Sequence, residues 1–277
     1  MVVLLTGCSG FECEEINDNE TIITKFTGSE KEVTIPAEIN GKKVTKIGKA
    51  FANCTGVESI TIEDGITEIG EYAFSGCTGL KSIKIPNSVE KIGNNAFDKC
   101  TALTSVKIPA SVKEIGDYAF SNCTELTSVK IRDGVTKIGE CAFSNCTGLT
   151  SITIPDSVKE IGEHAFSSCK ALTGITIPKG ITVISCEMFS GCEAIEEITI
   201  PENITSIERC AFSGCRGLKS VYIPISVTYI GRRAFEGCIE LTNVTIPGKA
   251  KTDEFSELFI GCTKLERGNI TLLYDED

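Results

Sequence analysis

The 277-residue chain contains no Trp, two Met and a single His, His164, and aromatic residues make up only 6% of it. One histidine leaves any Ser–His or Cys–His scheme a single possible base. No Gly-x-Ser-x-Gly elbow, glycine-rich phosphate loop or His-Glu-x-x-His helix appears. The expectation is therefore a non-enzyme with no cofactor and no metal. No apolar run approaches the roughly 18 residues needed to cross a bilayer. Cationic side chains are outnumbered 27 to 38, for a net charge of −11. That balance argues against a nucleic-acid backbone as partner and favours solubility, with a cationic or neutral partner overall.

Fifteen cysteines stand against these shortages, and ten of them obey one rule. Phe-x-x-Cys, usually preceded by Ala, recurs with Cys at 54, 77, 100, 123, 146, 169, 192, 215 and 238, and once more at Cys262, one residue late. A fixed period between 20 and 30 residues marks a solenoid, in which each coil packs on its neighbours around one continuous core. A cysteine recurring between Phe and Leu reads as a small buried hydrophobe, its thiol weakly bonded to a turn carbonyl, not as half of a disulfide. Cys8 and Cys13 lie outside the ladder and are close enough in sequence to bridge. Cys141 and Cys210 share a column three coils apart, about 15 Å, too far to bridge each other, and read as exposed thiols. Cys186 sits beside that column with its pairing left open.

One unit reads Ile-Pro-x-Ser-Val-x-x-Ile-Gly-x-x-Ala-Phe-x-x-Cys-x-x-Leu-x-Ser-Ile-x, as in residues 86–108. Its Ser-Ile-x-Ile portion alternates with period two, so it predicts a short strand with Ile83 and Ile85 inward and Lys84 outward. Proline ends that strand. Val89 and Ile92 pin the returning segment, Gly93 permits a turn, and Ala-Phe-x-x-Cys predicts a compact helical or 3-10 turn with Phe in the core. The fold expected is an α/β solenoid, right-handed, with a parallel sheet on its concave face and the helical turns opposite.

This unit closely resembles the BspA-like class of leucine-rich repeats, over roughly residues 33–270. Thr21 to Gly28, Val33-Thr-Ile-Pro36 and Ile39 to Val44 are similar to the entry hairpin and first coil of that family. The resemblance implies a leucine-rich-repeat solenoid and, for some members, cell-surface attachment or binding of host proteins. It brings no catalytic residues. Departures gather at the ends and at Ser185-Cys-Glu-Met188, which lacks the Gly and Ala.

Three parts are expected: an N-terminal segment and β cap at 1–34, the 23-residue repeats at 35–247, and a degenerate last repeat with a C-terminal cap at 248–277. Leu5-Thr-Gly-Cys8 resembles a lipoprotein lipobox, which makes Cys8 a candidate for lipidation. The apolar stretch before it is short and carries no Lys or Arg, so an ordinary start to the cap is the alternative. The expected location is the cell surface or the extracellular space, with the cytoplasm as alternative, and the expected state is a monomer.

The outward strand row is the natural docking surface of such a stack. It carries Lys84, Lys107, Lys130, Thr153, Thr176, Thr199 and Tyr222, read as the site for a protein or glycan ligand. Three stacked lysines repel one another, so they serve either an acidic partner or solvation of the sheet. A spacer with no specific face is the competing reading. One further group was weighed: Cys141, His164 and Glu187 share a column beside Glu140, Glu163 and Cys186, and such residues can hold zinc. Ladder geometry points them in parallel rather than at one point, which favours an ordinary surface histidine.

Overall fold

The computed structural model describes the backbone of residues 4–8 and 10–274, and the side chains of 10–274. It is a parallel-strand solenoid of about 11 turns. Most coils carry two strands and a turn corner. The first strand is the expected Ser-Ile-x-Ile segment, seen at Glu32–Ile35, Ser59–Ile62, Ser82–Lys84, Ser105–Ile108, Ser128–Ile131, Ser151–Thr153, Ser220–Tyr222, Asn243–Pro247 and Ile270–Leu273. The second is a two-residue strand ending in the Ile before Gly, for example Lys91–Ile92 and Glu114–Ile115. These short strands pair in parallel from coil to coil and form a second face, here the Ile-Gly face.

The third corner holds Ala-Phe-x-x-Cys as an irregular turn, where a helical turn was expected. Among the described residues the only helices are two three-residue 3-10 segments, Phe255–Glu257 and Arg267–Asn269. A helix needs consecutive right-handed residues. Here the residue two before Phe takes the left-handed conformation in every coil from Tyr72 to Arg233, with φ between 52° and 59°. From Tyr72 to Cys210 its N–H donates to a carbonyl of the next coil at 2.8–3.1 Å, as in Tyr118 to Glu140. Inter-coil bonding thus takes the place of a continuous helical ladder, beside short bonds within the turn such as Cys77 N–H to the Phe74 carbonyl at 3.1 Å.

The core is a set of ladders. Phe51 to Phe235 are essentially fully buried. From Phe74 onward their rings stack nearly parallel, and centroids along the whole ladder lie 4.9–5.7 Å apart. Equivalent rings are displaced by the local rise of the stack, whereas paired strands keep about 4.8 Å. The Phe corner therefore lies on the outside of the bend and the paired strands on its inside. None of the ten ladder cysteines is bonded to another sulfur. From Cys77 to Cys262 each thiol donates to the carbonyl of the Phe one coil earlier, at 3.0–3.3 Å. The residue type follows from that niche, since it holds only a small side chain with one weak donor.

Glycine after the Ile fits for a reason other than the turn anticipated at Gly93. Its φ is ordinary, but a Cβ on Gly93, Gly116, Gly162 or Gly231 would lie 2.5–2.8 Å from backbone of the preceding coil. Ser185 occupies this column, and its hydroxyl, in place of the usual backbone N–H, donates to the Ile161 carbonyl. At that coil the Ile-Gly ladder breaks between Glu160–Ile161 and Val183–Ile184. The Ser-Ile ladder is likewise open from Ser151–Thr153 to Ser220–Tyr222.

At the N-terminal end Leu4–Cys8, Phe11–Glu15 and Glu20–Phe26 form an antiparallel set, and the last of these joins Lys42–Ile47 in parallel. Phe26 stacks on Phe51 at 4.9 Å, so the cap continues the ring ladder.

Candidate partner-binding face

The alternation of the Ser-Ile strands sends Ile or Val inward and the intervening residue outward, and the outward residues line up by register. Thr61 pairs with Lys84, Lys107 with Lys130, Lys130 with Thr153, and Tyr222 with Thr245. Lys84, Lys107, Lys130, Thr153, Thr176, Thr199 and Tyr222 are all exposed. Thr176 and Thr199 lie on the stretch where the ladder is open, so the row consists of a lysine-rich half, a looser threonine stretch and Tyr222 beyond it. Two shallow hollows flank it. One lies between Lys84 and Lys107, where Ser82–Lys84 and Ser105–Ile108 are not ladder-paired; Thr61, Glu63, Asp64 and Asn87 rim it and Ile83 and Ile85 floor it. The other is lined by Asp156, Thr176, Lys179, Thr199 and Asn203.

Charge is arranged differently on the two faces. On the Ile-Gly face Glu68, Lys91, Glu114, Lys137 and Glu160 are register partners in succession, so sign alternates at every coil. Lys137 lies 3.1 Å from Glu160, and Lys46 3.0 Å from Glu68. Beside the Ser-Ile strands Glu58 bridges Lys31 and Lys81, and the Lys31 hydrogen bond is the first cause holding its carboxyl down at about 2. Lys84, Lys107 and Lys130 have no such partner among the described residues. The alternation repeats every 46 residues in the sequence, a signal that a search for one 23-residue consensus averages away.

The left-handed column carries Cys141, His164 and Glu187, with Glu140, Glu163 and Cys186 one residue before it. Its Cys141 and Cys210 are buried, at 9% exposure each, which corrects the expectation of exposed thiols. Burial is the first cause raising both thiols, and that of Cys186, so none is activated as a nucleophile. His164 Nδ1 sits 3.4 Å from Glu187 Oε2, and Arg209 holds the other carboxylate oxygen at 3.1 Å. Tyr118 donates to Glu140 at 3.2 Å, and its hydroxyl is pushed up, first by a hydrogen bond with Cys141. These side chains pair along the column, and among the described residues no cluster of three ligands converges. The Cys8 side chain lies outside the described residues. No helix among them is long and apolar enough to cross a membrane.

Two ladders of parallel strands, a stacked Phe corner and inward Leu and Ile define a leucine-rich-repeat solenoid. The chain belongs to the BspA type leucine rich repeat family, whose model matches residues 45–173 and 159–273. It is similar to a leucine rich cell surface protein from Faecalibacterium prausnitzii at 28% identity, covering 99% of this chain and 95% of that one, with a TM-score of 0.50. The leucine rich repeat protein of T. pallidum is 30% identical over 77% of this chain and 90% of its own, with a TM-score of 0.59. The pneumococcal vaccine antigen PcpA, 22% identical over 98% of this chain and 81% of its own, shares the fold with a TM-score of 0.65. No curated protein matches the chain significantly.

Proposed function

We propose that the protein is a non-enzymatic recognition module that binds a protein or glycan through the outward row of its Ser-Ile strands, at a bacterial cell surface. The observation that carries this is the contrast between faces. A spacer needs only the neutralising alternation found at Glu68, Lys91, Glu114, Lys137 and Glu160, whereas the Ser-Ile row leaves in-register lysines unpaired. Like charges directly opposite on a sheet are destabilising, and a stack that neutralises one face while stacking cations on the other fits a face kept for contact. Tyr222, 51% exposed, adds an aromatic of the kind enriched at interfaces. The surface placement draws on the F. prausnitzii relative, itself described as a cell surface protein.

The test is an array of purified proteins and glycans, probed with the wild type and with a variant carrying K84Q, K107Q, K130Q and Y222A. Recognition through this row predicts hits that the variant loses. Hits retained in full by the variant, or no hits for the wild type, would remove the proposal.

A further inference from the structure

We infer that the lysine-rich half of the row is a subsite for an anionic glycan, a polysaccharide bearing carboxylate or sulfate groups. This rests on the reading of the Ser-Ile face as a recognition surface and names the chemistry of its ligand.

Lys107 and Lys130 are register partners on neighbouring strands, and Lys84 occupies the same row one coil earlier. Strand spacing sets about 4.8 Å between the backbones of Lys107 and Lys130, and Lys84 stands across the unpaired hollow from Lys107. A linear polymer lying across the strands would therefore meet a positive charge at every coil. The three ammonium groups are exposed and unpaired, so binding an anion breaks no existing ion pair. Beside them Ser82, Ser105 and Ser128 form a parallel exposed row of hydroxyls, in register with one another from Ser105 to Ser128.

The hollow between Lys84 and Lys107 distinguishes among anions. Its rim combines the two lysines with Thr61 and Asn87 and with the carboxylates Glu63 and Asp64. Glu63 already accepts the Ala37 N–H. A site for a bare polyanion gains nothing from carboxylates. A ligand that carries hydroxyl groups as well as anionic ones can donate to Glu63 and Asp64 while its charge lies against the lysines. Sugar rings meet that requirement, and the apolar floor of Ile83 and Ile85 suits the C–H face of such a ring. An acidic peptide fits less well, because its charged side chains accept only and carry no hydroxyl to donate to Glu63 and Asp64. The acidic remainder of the molecule confines contact to this patch, so binding should be local and salt-sensitive.

The experiment measures binding of immobilised polygalacturonate, heparin and neutral dextran to the full chain, at low and at physiological salt. The variants are K84Q/K107Q/K130Q and, separately, K91Q on the Ile-Gly face, with thermal melting used to confirm that both fold. The expected result is salt-sensitive binding to polygalacturonate, heparin or both, and none to dextran. The triple variant should lose roughly tenfold or more in affinity, as three exposed charge contacts together imply, with K91Q, which removes one charge from the opposite Ile-Gly face, close to wild type. Preference between the two acidic probes identifies carboxylate or sulfate as the favoured group. Absence of binding to both acidic probes, equal binding to dextran, or acidic binding untouched in the triple variant would each overturn the inference. Failure on the acidic probes alongside protein hits lost in the variant that also carries Y222A would leave the broader recognition reading standing, so the two fail separately.

Discussion

Two glycine columns in this chain look alike in sequence and are there for different physical reasons. The column before Cys holds Gly76, Gly191, Gly214, Gly237 and Gly261 at φ of 70–76°, and elsewhere Asn53, Asn122 and Asn145 with Lys99 and Ser168 at 59–62°. There the left-handed backbone selects the residue. A Cβ on Gly237 would meet nothing nearer than 3.8 Å, so Gly237→Ala should cost only the conformational term, about 1 kcal/mol. Gly116 has an ordinary φ, but its Cβ would fall 2.6 Å from the Gly93 carbonyl carbon. Gly116→Ala must push two coils apart and should cost more, about 3 kcal/mol. Denaturant midpoints of the two variants check the order, and equal losses would contradict it. The left-handed column two before Phe shows the converse, because Tyr118, His164 and Glu187 are held there by inter-coil bonds despite their Cβ atoms.

At the scale of the element, Ser185 coincides with a seam, whereas Glu208 in the same column keeps its N–H on the Ile184 carbonyl at 2.9 Å and its strand paired. The Ser185 hydroxyl takes the Ile161 carbonyl that a backbone N–H takes in the neighbouring coils, and strand pairing stops there. Solenoid stability is roughly a sum of coil and interface terms, so a weakened interface should open first. Ser185→Gly is expected to restore the backbone bond and slow amide exchange at residues 183–185 by roughly tenfold, equivalent to about 1.4 kcal/mol of local opening. Exchange unchanged in the variant would show that the seam has another cause. Ser185 was visible in the sequence as a departure from the consensus, but its effect was not. Nothing in one chain of letters says that glycine there answers to a neighbouring backbone. The second face was missed for a related reason, since a two-residue strand such as Lys91–Ile92 is too short to show a period of two. The Ser-Ile strands, the Phe ladder and the lysine row were legible because each depends only on register.

For the whole molecule the thiol ladder sets the response to alkali. Burial is the first cause raising Cys123, Cys146, Cys169, Cys192 and Cys215, with Cys146 and Cys192 pushed up to about 12. In the unfolded chain the same thiols ionise near 9. Their folded values are raised, so above pH about 9 the unfolded chain loses protons that the folded one keeps. Stability is intact below that pH and falls as pH rises toward the folded values. Each such thiol contributes a slope of about 1.4 kcal/mol per pH unit, and several act together. Unfolding midpoints measured under reducing conditions from pH 7 to 10.5 should be flat at first and then drop steeply. Cys146→Ala should make the drop shallower, and an equally steep fall in that variant would count against the ladder as its source.

The alternating Glu and Lys of the Ile-Gly face also bear on how so repetitive a chain finds its own order. Coils that share Phe, Cys, Leu and Ile are nearly interchangeable as neighbours, and a collapsing chain could leave one out. If the coil of Lys91 were looped out, Glu68 would face Glu114; without the coil of Glu114, Lys91 would face Lys137. Each omission sets like charges side by side, which the native order never does between residues 68 and 160. Between residues 68 and 160 the alternation thus gives the stack a parity, and skipping a single coil there during assembly violates it.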